Sequence, residues 1–152
     1  MHDREKQTIR VESARETDLP QLVSLMQGYL QFYGRQHGDE EVYQHAAYLL
    51  DHPQEGIQFI VWLDDEPVGF ATLYFTLSTL GLRRSAILND IYVAEQARGG
   101  GAAEELFRHC LAYVRSNGYA GMEWATAKDN SRAQRFYDKM EAKTGEWLHY
   151  TI

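Results

Sequence analysis

The sequence predicts a mixed α/β domain, and three observations support that fold class. Apolar residues recur at three- and four-residue spacing over 19–33 and again over 106–114, which is typical of amphipathic helices. Stretches rich in β-branched and aromatic residues at 58–63, 67–77 and 85–93 indicate strands. Strands alternate with helices only in the second half of the chain, which indicates a mixed sheet.

The individual elements follow in chain order. A half-buried strand is predicted at 8–15, because apolar and charged residues alternate there. Thr17 is predicted to cap the first helix, and a second helix with an acidic first turn follows at about 39–50. The acidic stretch 64–66 is predicted to be a hairpin turn. The remaining elements are a helix ending near Gly118, a short strand at 122–125, a helix at 130–140, and one or two strands within 142–152.

The composition indicates a folded protein, and its net charge favours cationic partners. Of the 152 residues, 44% are hydrophobic and 24% are charged, as in ordinary globular domains. We assign residues 1–7 to a polar N-terminal arm and residues 8–152 to a single domain. A formal charge of −7 argues against nucleic-acid binding, which depends on neutralising phosphates.

Cysteine usage, hydropathy and histidine spacing exclude other classes of protein. The lone Cys110 cannot form an intrachain disulfide framework and predicts a cytoplasmic location; we interpret it as a small core residue. The uncharged run 68–82 is shorter than the ~20 apolar residues of a spanning helix, so no membrane association is expected. The histidines show no close metal-ligand spacing, and no metal is expected.

A glycine-rich turn between the strand at 85–93 and the next helix is the first candidate site. Consecutive glycines at 99–101 leave the backbone without side chains, and the helix that follows directs unpaired N–H groups towards the turn. The turn therefore suits a pyrophosphate, although it could equally be a flexible loop. No lysine follows as in a P-loop, and Glu104 stands where a dinucleotide fingerprint needs glycine or alanine.

The helix predicted at 130–140 carries a second candidate site. Asn130, Ala133 and Tyr137 share one helix face. Asn130 and Tyr137 are roughly 10 Å apart along the axis, which suits an extended ligand. The alternative is that Asn130 only caps the helix and Tyr137 packs in the core.

Together the two segments resemble the GCN5-related N-acetyltransferase (GNAT) superfamily. The resemblance rests on Arg-x-x-Gly-x-Ala at 98–103 after a strand ending in Tyr92-Val93, followed by Asn-x-x-Ala-x-x-Phe-Tyr at 130–137. The resemblance is clearest over 87–137, and the sequence is most similar to the histone/polyamine acetyltransferase-type branch. It implies a mixed, mostly antiparallel sheet with helices on both sides, and acetyl-CoA as the donor substrate.

The resemblance also implies roles for particular residues. Strand backbone would pair with the pantetheine arm, the turn would hold the pyrophosphate, and Asn130 would hydrogen-bond the donor further along. Tyr137 would be catalytic, donating a proton to the leaving thiolate. The implied cofactor-binding residues are Ile91, Tyr92, Val93, Arg98, Gly99, Gly100, Gly101, Ala102, Ala103, Asn130, Ala133 and Tyr137.

The acceptor side is expected at Asn89 and Asp90, where the chain departs from the family. The spermidine/spermine-type branch often places a carboxylate at the position of Asn89, and an amide cannot take a proton. Asp90 is adjacent, but neighbouring strand residues face opposite sides of a sheet. A water relay or an amine arriving neutral is therefore as plausible as a side-chain base. The chain also has Met-Glu-Ala at 140–142, where the family commonly has Leu-Gly-Phe, and this makes the helix exit unusual.

These features predict direct acetyl transfer from acetyl-CoA to a primary amine of a small cationic metabolite, amino acid or polyamine. The alternatives are a catalytically weak acyl-CoA-binding regulatory module, a protein-lysine acetyltransferase, and a nucleotide-binding module. Residues 1–97 carry seven basic and fifteen acidic side chains, whereas 98–143 carry eight and six, so the acidity lies in the acceptor half. A homodimer is expected, with Trp147, Leu148 and Tyr150 at a strand edge.

Overall fold

The computed structural model describes residues 7–152, and within them five strands form one sheet in the order β1-β2-β3-β4-β5. The arm expected at 1–7 lies outside the described residues, apart from Gln7. The strands are β1 (Ile9–Ser13), β2 (Gly56–Leu63), β3 (Glu66–Ser78), β4 (Arg83–Val93) and β5 (Met122–Glu123). The helices are α1 (Leu19–Phe32), α2 (Asp39–Asp51), α3 (Ala102–Ser116) and α4 (Ser131–Lys139), with 3₁₀ turns at Glu16–Asp18 and Glu95–Ala97.

The sheet is mixed and mostly antiparallel, as predicted. Strands β1 to β4 run antiparallel to their neighbours, and β5 lies parallel to β4. The predicted hairpin turn at 64–66 joins β2 to β3. A parallel neighbour needs a long crossover, and the segment containing α3 supplies it.

Helices cover both faces of the sheet and bury a separate apolar core on each. On one face, α3 packs its apolar stripe, including Leu106, Phe107 and Cys110, onto β2, β3 and β4. On the other face, α1 and α2 bury Leu22 and Ala46 against the sheet. The predicted helical layers on both sides are therefore confirmed.

A β-bulge in β4 determines which way its polar side chains point. Leu73 of β3 pairs with Leu88, whereas Thr72 pairs with Asp90, so Asn89 is an extra residue in the ladder. Leu88 belongs to the core on the α3 face, and the bulge shifts the alternation so that Asp90 shares the α1/α2 face with Thr72. The side-chain amide of Asn89 donates to Asp90 Oδ1 at 3.0 Å. The strict alternation assumed from the sequence is therefore wrong at this position.

Two local predictions also differ from the structure, at the start of α1 and at the end of β5. Thr17 does not cap α1, which begins at Leu19 after the 3₁₀ turn; Asp18 precedes it and accepts from the backbone N–H and Nε of Arg15 at 3.0 and 3.2 Å. β5 ends at Glu123 rather than at 125. Glu141 follows α4 with φ +65°, a left-handed conformation that glycine adopts more easily.

The strands predicted within 142–152 do not form. Trp147, Leu148 and Tyr150 are 77%, 80% and 88% exposed, and the segment has no strand partner among residues 7–152. An isolated strand leaves its backbone groups unpaired, so alternating apolar residues do not make a strand without a neighbouring edge. No helix within the described range is long and apolar enough to cross a membrane.

Substitution of Gly69 by alanine is expected to destabilise the protein by about 3 kcal/mol, the upper range for overpacking a close-packed core. Gly69 lies in β3 opposite Val93, and a Cβ there would overlap the carbonyl oxygen of Tyr92 and lie 3.0 Å from Val61 Cγ1. Urea denaturation measures the change, and Gly121→Ala is the control because nothing lies within 4 Å of its Cβ position. Equal denaturation midpoints for the two variants would contradict the prediction.

Candidate active site

The N-terminus of α3 forms an open anion-binding turn. Gly99 and Gly101 have φ values of +86° and +91°, and Gly101 is the N-cap residue of α3 without a side-chain cap. A helix N-terminus carries unpaired N–H groups and partial positive charge, so this turn can accept a phosphate. Arg98 Nε donates to the carbonyl oxygen of Val93 at 3.0 Å, which ties the turn to the end of β4.

The edge of β4 beside this turn is free to pair with an extended ligand. β5 pairs with β4 only at Ala86 and Ile87. Over 88–93, β4 has no strand on that side within the described part of the chain. The backbone of Ile91, Tyr92 and Val93 therefore lies at an open edge, next to the glycine turn.

Helix α4 places Asn130 and Tyr137 along the same cleft. Asn130 Oδ1 accepts the N–H of Ala133 at 3.1 Å, so Asn130 caps α4, the alternative left open by its sequence. Tyr137 is half-buried, with its ring centroid 5.1 Å from that of Trp124 and 6.4 Å from that of Phe107. Tyr137 therefore packs against apolar side chains and also borders the cleft.

An open cleft of about 420 Å³ brings most of the predicted site residues together. It runs between β4, the glycine turn, α4 and the end of α1. The predicted residues that line it are Asn89, Ile91, Tyr92, Val93, Arg98, Gly99, Gly101, Ala102, Ala103, Asn130, Ala133 and Tyr137. Gly100 instead lines a neighbouring pocket beside the β2–β3 turn, and Asp90 does not line the cleft but lies beside Tyr29, which does.

Sequence reasoning missed the aromatic side chains at the end of α1. Tyr29, Phe32 and Tyr33 line the cleft, and Phe32 and Tyr33 are 60% and 52% exposed. Tyr29 also packs edge-on against Phe70 and Tyr92 of the sheet, with centroids 5.8 and 6.3 Å away. Helical periodicity placed Tyr29 and Tyr33 on the apolar face of α1. The presence of three aromatic residues within five positions could have indicated that they line a binding site.

Burial raises the pKa values of three tyrosines in or beside the cleft, Tyr29, Tyr74 and Tyr137. Burial, and then the carboxylate of Asp90 beside its hydroxyl, raise the pKa of Tyr29 well above the usual range for tyrosine. Burial and the same carboxylate raise the pKa of Tyr74 to about 12. Burial, with a smaller contribution from Tyr33, raises the pKa of Tyr137. Burial likewise raises the pKa of the Cys110 thiol to about 12, as expected of a core residue rather than a nucleophile.

The two ends of the cleft differ in charge. Arg98, Arg132 and Lys139 border the end formed by the glycine turn and α4, where Lys139 pairs with Glu104. Asp90 and the α1 tyrosines lie at the other end. Among residues 7–152 no group of three or more histidine, cysteine or acidic side chains is placed to hold a metal ion.

Residues 22–141 match the acetyltransferase (GNAT) family. The chain belongs to this family. It is therefore an acetyl-CoA-dependent N-acetyltransferase of GNAT type, and its sheet order and helical layers are those of GNAT structures.

Individual GNAT proteins resemble this acetyltransferase over most or part of its length. It is 28% identical over 146 residues to the uncharacterized N-acetyltransferase YhfO of Bacillus subtilis (strain 168), covering 95% of this chain and 97% of YhfO. It is 29% identical over 98 residues to the thialysine N-ε-acetyltransferase of Caenorhabditis elegans, covering 62% and 61% of the two chains. A crystal structure of a probable acetyltransferase superposes with a TM-score of 0.87 at 32% identity, covering 94% of this chain and 96% of that one.

Proposed function

We propose that this GNAT acetyltransferase transfers acetyl directly from acetyl-CoA to a primary amine of a small cationic metabolite, amino acid or polyamine. The main support for the proposal is the position of β4, which contributes residues to both the proposed donor side and the proposed acceptor side. Its residues 91–93 lie at the open edge beside the glycine turn, and Asp90 lies beside Tyr29, which lines the same cleft from α1.

The donor would bind at the glycine turn and the open edge of β4. Backbone groups of Ile91, Tyr92 and Val93 would pair with the amide-bearing pantetheine arm. The turn at 98–103 would hold the pyrophosphate, because Gly99 leaves open space where a Cβ would stand and the first amides of α3 have no side-chain cap. Asn130 and Ala133 would border the thioester end, with Asn130 positioning α4 through its cap.

Tyr137 would donate the proton that the thiolate of CoA needs as it leaves. It faces the cleft from α4, and the raised pKa of its phenol keeps the proton available at neutral pH. This is the role that the family resemblance implies for this position.

The acceptor would enter between α1 and β4. Asp90 supplies negative charge, and Tyr29, Tyr33 and Phe32 present aromatic faces, a combination that favours an ammonium group. The similar thialysine acetyltransferase acts on the amine of a small molecule, and the sequence motifs are most like those of the histone/polyamine branch. These features support a small cationic amine, with Asn89 and Asp90 on the acceptor side.

Release of CoA thiol, measured against polyamines, amino acids, aminoglycosides and histone peptides, tests the function. We expect the highest kcat/KM among small cationic amines. Preference for histone peptides would favour a protein-lysine acetyltransferase. Tight CoA binding without transfer to any amine would favour an acyl-CoA-binding regulatory module and contradict the proposal.

Gly101→Ala is expected to raise the KM for acetyl-CoA about tenfold, equivalent to ~1.4 kcal/mol of binding free energy. The φ of +91° costs a residue with a Cβ about 1–2 kcal/mol, so the turn would relax away from its anion-binding shape. Gly118→Ala is the matched control, because Gly118 also has positive φ (+68°) but follows α3 away from the cleft. An unchanged KM in Gly101→Ala, or an equal rise in the control, would contradict the assignment of the turn.

The proposal also includes the oligomeric state of the protein and its location in the cell. The exposed apolar side chains of residues 147–150 would be covered by a second copy of the chain, giving a homodimer, and the lone buried Cys110 fits a reducing cytoplasm. Sedimentation equilibrium distinguishes monomer from dimer, and Trp147→Ser should shift the equilibrium towards monomer. A wild-type monomer at all concentrations would contradict the homodimer.

A further inference from the structure

A tyrosine of β3 stands beside Asp90 and is not part of the cleft wall. Tyr74 lies two residues after Thr72, so both side chains are on the α1/α2 face, and Thr72 pairs directly with Asp90. Tyr74 and Asp90 are therefore diagonal neighbours across β3 and β4, a spacing that long side chains reach across. The effect of the Asp90 charge on the pKa of Tyr74 agrees with this placement.

A histidine of α2 connects Tyr74 to solvent. His45 Nε2 lies 2.9 Å from the hydroxyl oxygen of Tyr74, and the two rings meet edge-on with centroids 6.5 Å apart. Tyr74 is half-buried, whereas His45 is exposed. Asp90, Tyr74 and His45 are thus neighbours in this order on the α1/α2 face, with a hydrogen bond between Tyr74 and His45, and with His45 at the surface.

The proposed reaction releases a proton that has to leave this region. A primary ammonium has a pKa near 10.4 and must lose a proton before its nitrogen attacks the acetyl carbon. Asp90, beside Tyr29 on the same face, is the carboxylate placed to accept it. Asp90 must then be deprotonated before the next ammonium binds.

We propose that Tyr74 and His45 carry the proton from Asp90 to solvent, an inference that rests on the proposed acetyl transfer. The ammonium gives its proton to Asp90. The protonated carboxyl gives it, through one bridging water molecule, to the Tyr74 oxygen as that hydroxyl gives its own proton to His45 Nε2. The resulting imidazolium releases a proton to water, which restores the carboxylate, the neutral phenol and the neutral imidazole.

The neighbours of the three groups are consistent with this route. Tyr29 of α1 and the Asn89 amide also face Asp90, and both are neutral donors that leave its charge uncompensated. On α2, Glu41 lies one turn before His45 and pairs with His37 at 3.5 Å. His45 is exposed to solvent, which suits the last position of such a chain.

Chemical rescue of His45→Ala tests the proposal, with the best amine from the acceptor panel and saturating acetyl-CoA at pH 7. Since general acid–base steps contribute about 10²–10⁴-fold, loss of the outermost group is expected to lower kcat on the order of tenfold. Added imidazole should restore kcat in the variant with a saturable dependence and leave the KM for acetyl-CoA unchanged. Tyr74→Phe should show a similar loss without rescue, because the link to Asp90 is then missing.

His52→Ala is the matched control. His52 follows α2 and stacks on Tyr48 with centroids 3.9 Å apart, a second tyrosine–histidine pair that does not lead to Asp90. We expect no change in its kcat and no response to imidazole, with circular dichroism melting curves confirming that each variant is folded. A wild-type kcat in His45→Ala, or a loss that imidazole does not relieve, would overturn the relay. Failure of the wild type to acetylate any amine would instead contradict the proposed function.

Discussion

Replacement of Tyr137 by phenylalanine is expected to lower kcat by on the order of 10²-fold, the lower range for loss of a general acid. The thiolate would then leave without a proton from α4, whereas the packing of the ring on Trp124 and Phe107 would remain. CoA-thiol release at saturating acetyl-CoA and amine measures the change. The KM for acetyl-CoA should stay within about twofold, because the interaction lost is one made in the transition state.

The pH profile provides a second measurement of the same residue. Burial and Tyr33 raise the pKa of Tyr137 above its ordinary value of 10.0, so the wild type should keep its acid protonated through neutral pH. Any loss of kcat from deprotonation of Tyr137 should therefore have its midpoint above pH 10 and be absent from the phenylalanine variant. If kcat of Tyr137→Phe were less than a few-fold below that of the wild type across the pH range, Tyr137 would not be the general acid. Tyr113→Phe is the control, since Tyr113 packs on Phe75 in the α3 layer, outside the cleft.

Asp90→Asn is expected to reduce kcat/KM for the amine by at least about 10²-fold. The variant loses the proton acceptor, and it loses a hydrogen bond to a charged group worth about 1.5–3 kcal/mol. The KM for acetyl-CoA should change little, because the glycine turn is unaffected. Initial rates with varied amine measure the effect.

Tyrosine titration tests whether the substitution acts through charge. The Asp90 carboxylate contributes to the raised pKa values of Tyr29 and Tyr74, so the amide should lower both towards 10.0. Ultraviolet difference spectra at alkaline pH record this shift. Asp65→Asn, in the β2–β3 turn, removes one negative charge elsewhere and should leave amine kinetics and both titrations unchanged. Unaltered amine kinetics in Asp90→Asn would exclude Asp90 from the acceptor site.

Much of the fold and the donor side could be predicted because the signals are local. The alternation in β1, the acidic hairpin turn and the apolar stripe of α3 each lie within one segment. The glycine turn was recognisable because the glycines stand between a strand and a helix, and the structure places them at that junction. Local residue patterns therefore sufficed for these elements.

Asn89 and Asp90 were expected on the acceptor side, but the arrangement of their side chains could not be predicted, because it depends on pairing between distant segments. The bulge at Asn89 arises from the register of β4 against β3, and that register determines the face on which Asp90 lies. The exposure of Tyr33 depends on where α1 ends relative to the sheet, and helical periodicity gives no information about that position. The prediction of strands within 142–152 was wrong for a related reason. A strand forms only beside a free strand edge, and the sequence does not show where such an edge lies.

The sheet separates the two helical layers, and this arrangement bears on how the enzyme could evolve. Helix α3, beside the proposed donor site, packs on one face, whereas α1 and α2, beside the proposed acceptor site, pack on the other. Substitutions at Phe32 or Tyr33 would change the acceptor wall without entering the core beneath α3. Acceptor preference could therefore diverge among descendants of one ancestral gene while use of a common acyl donor is inherited unchanged.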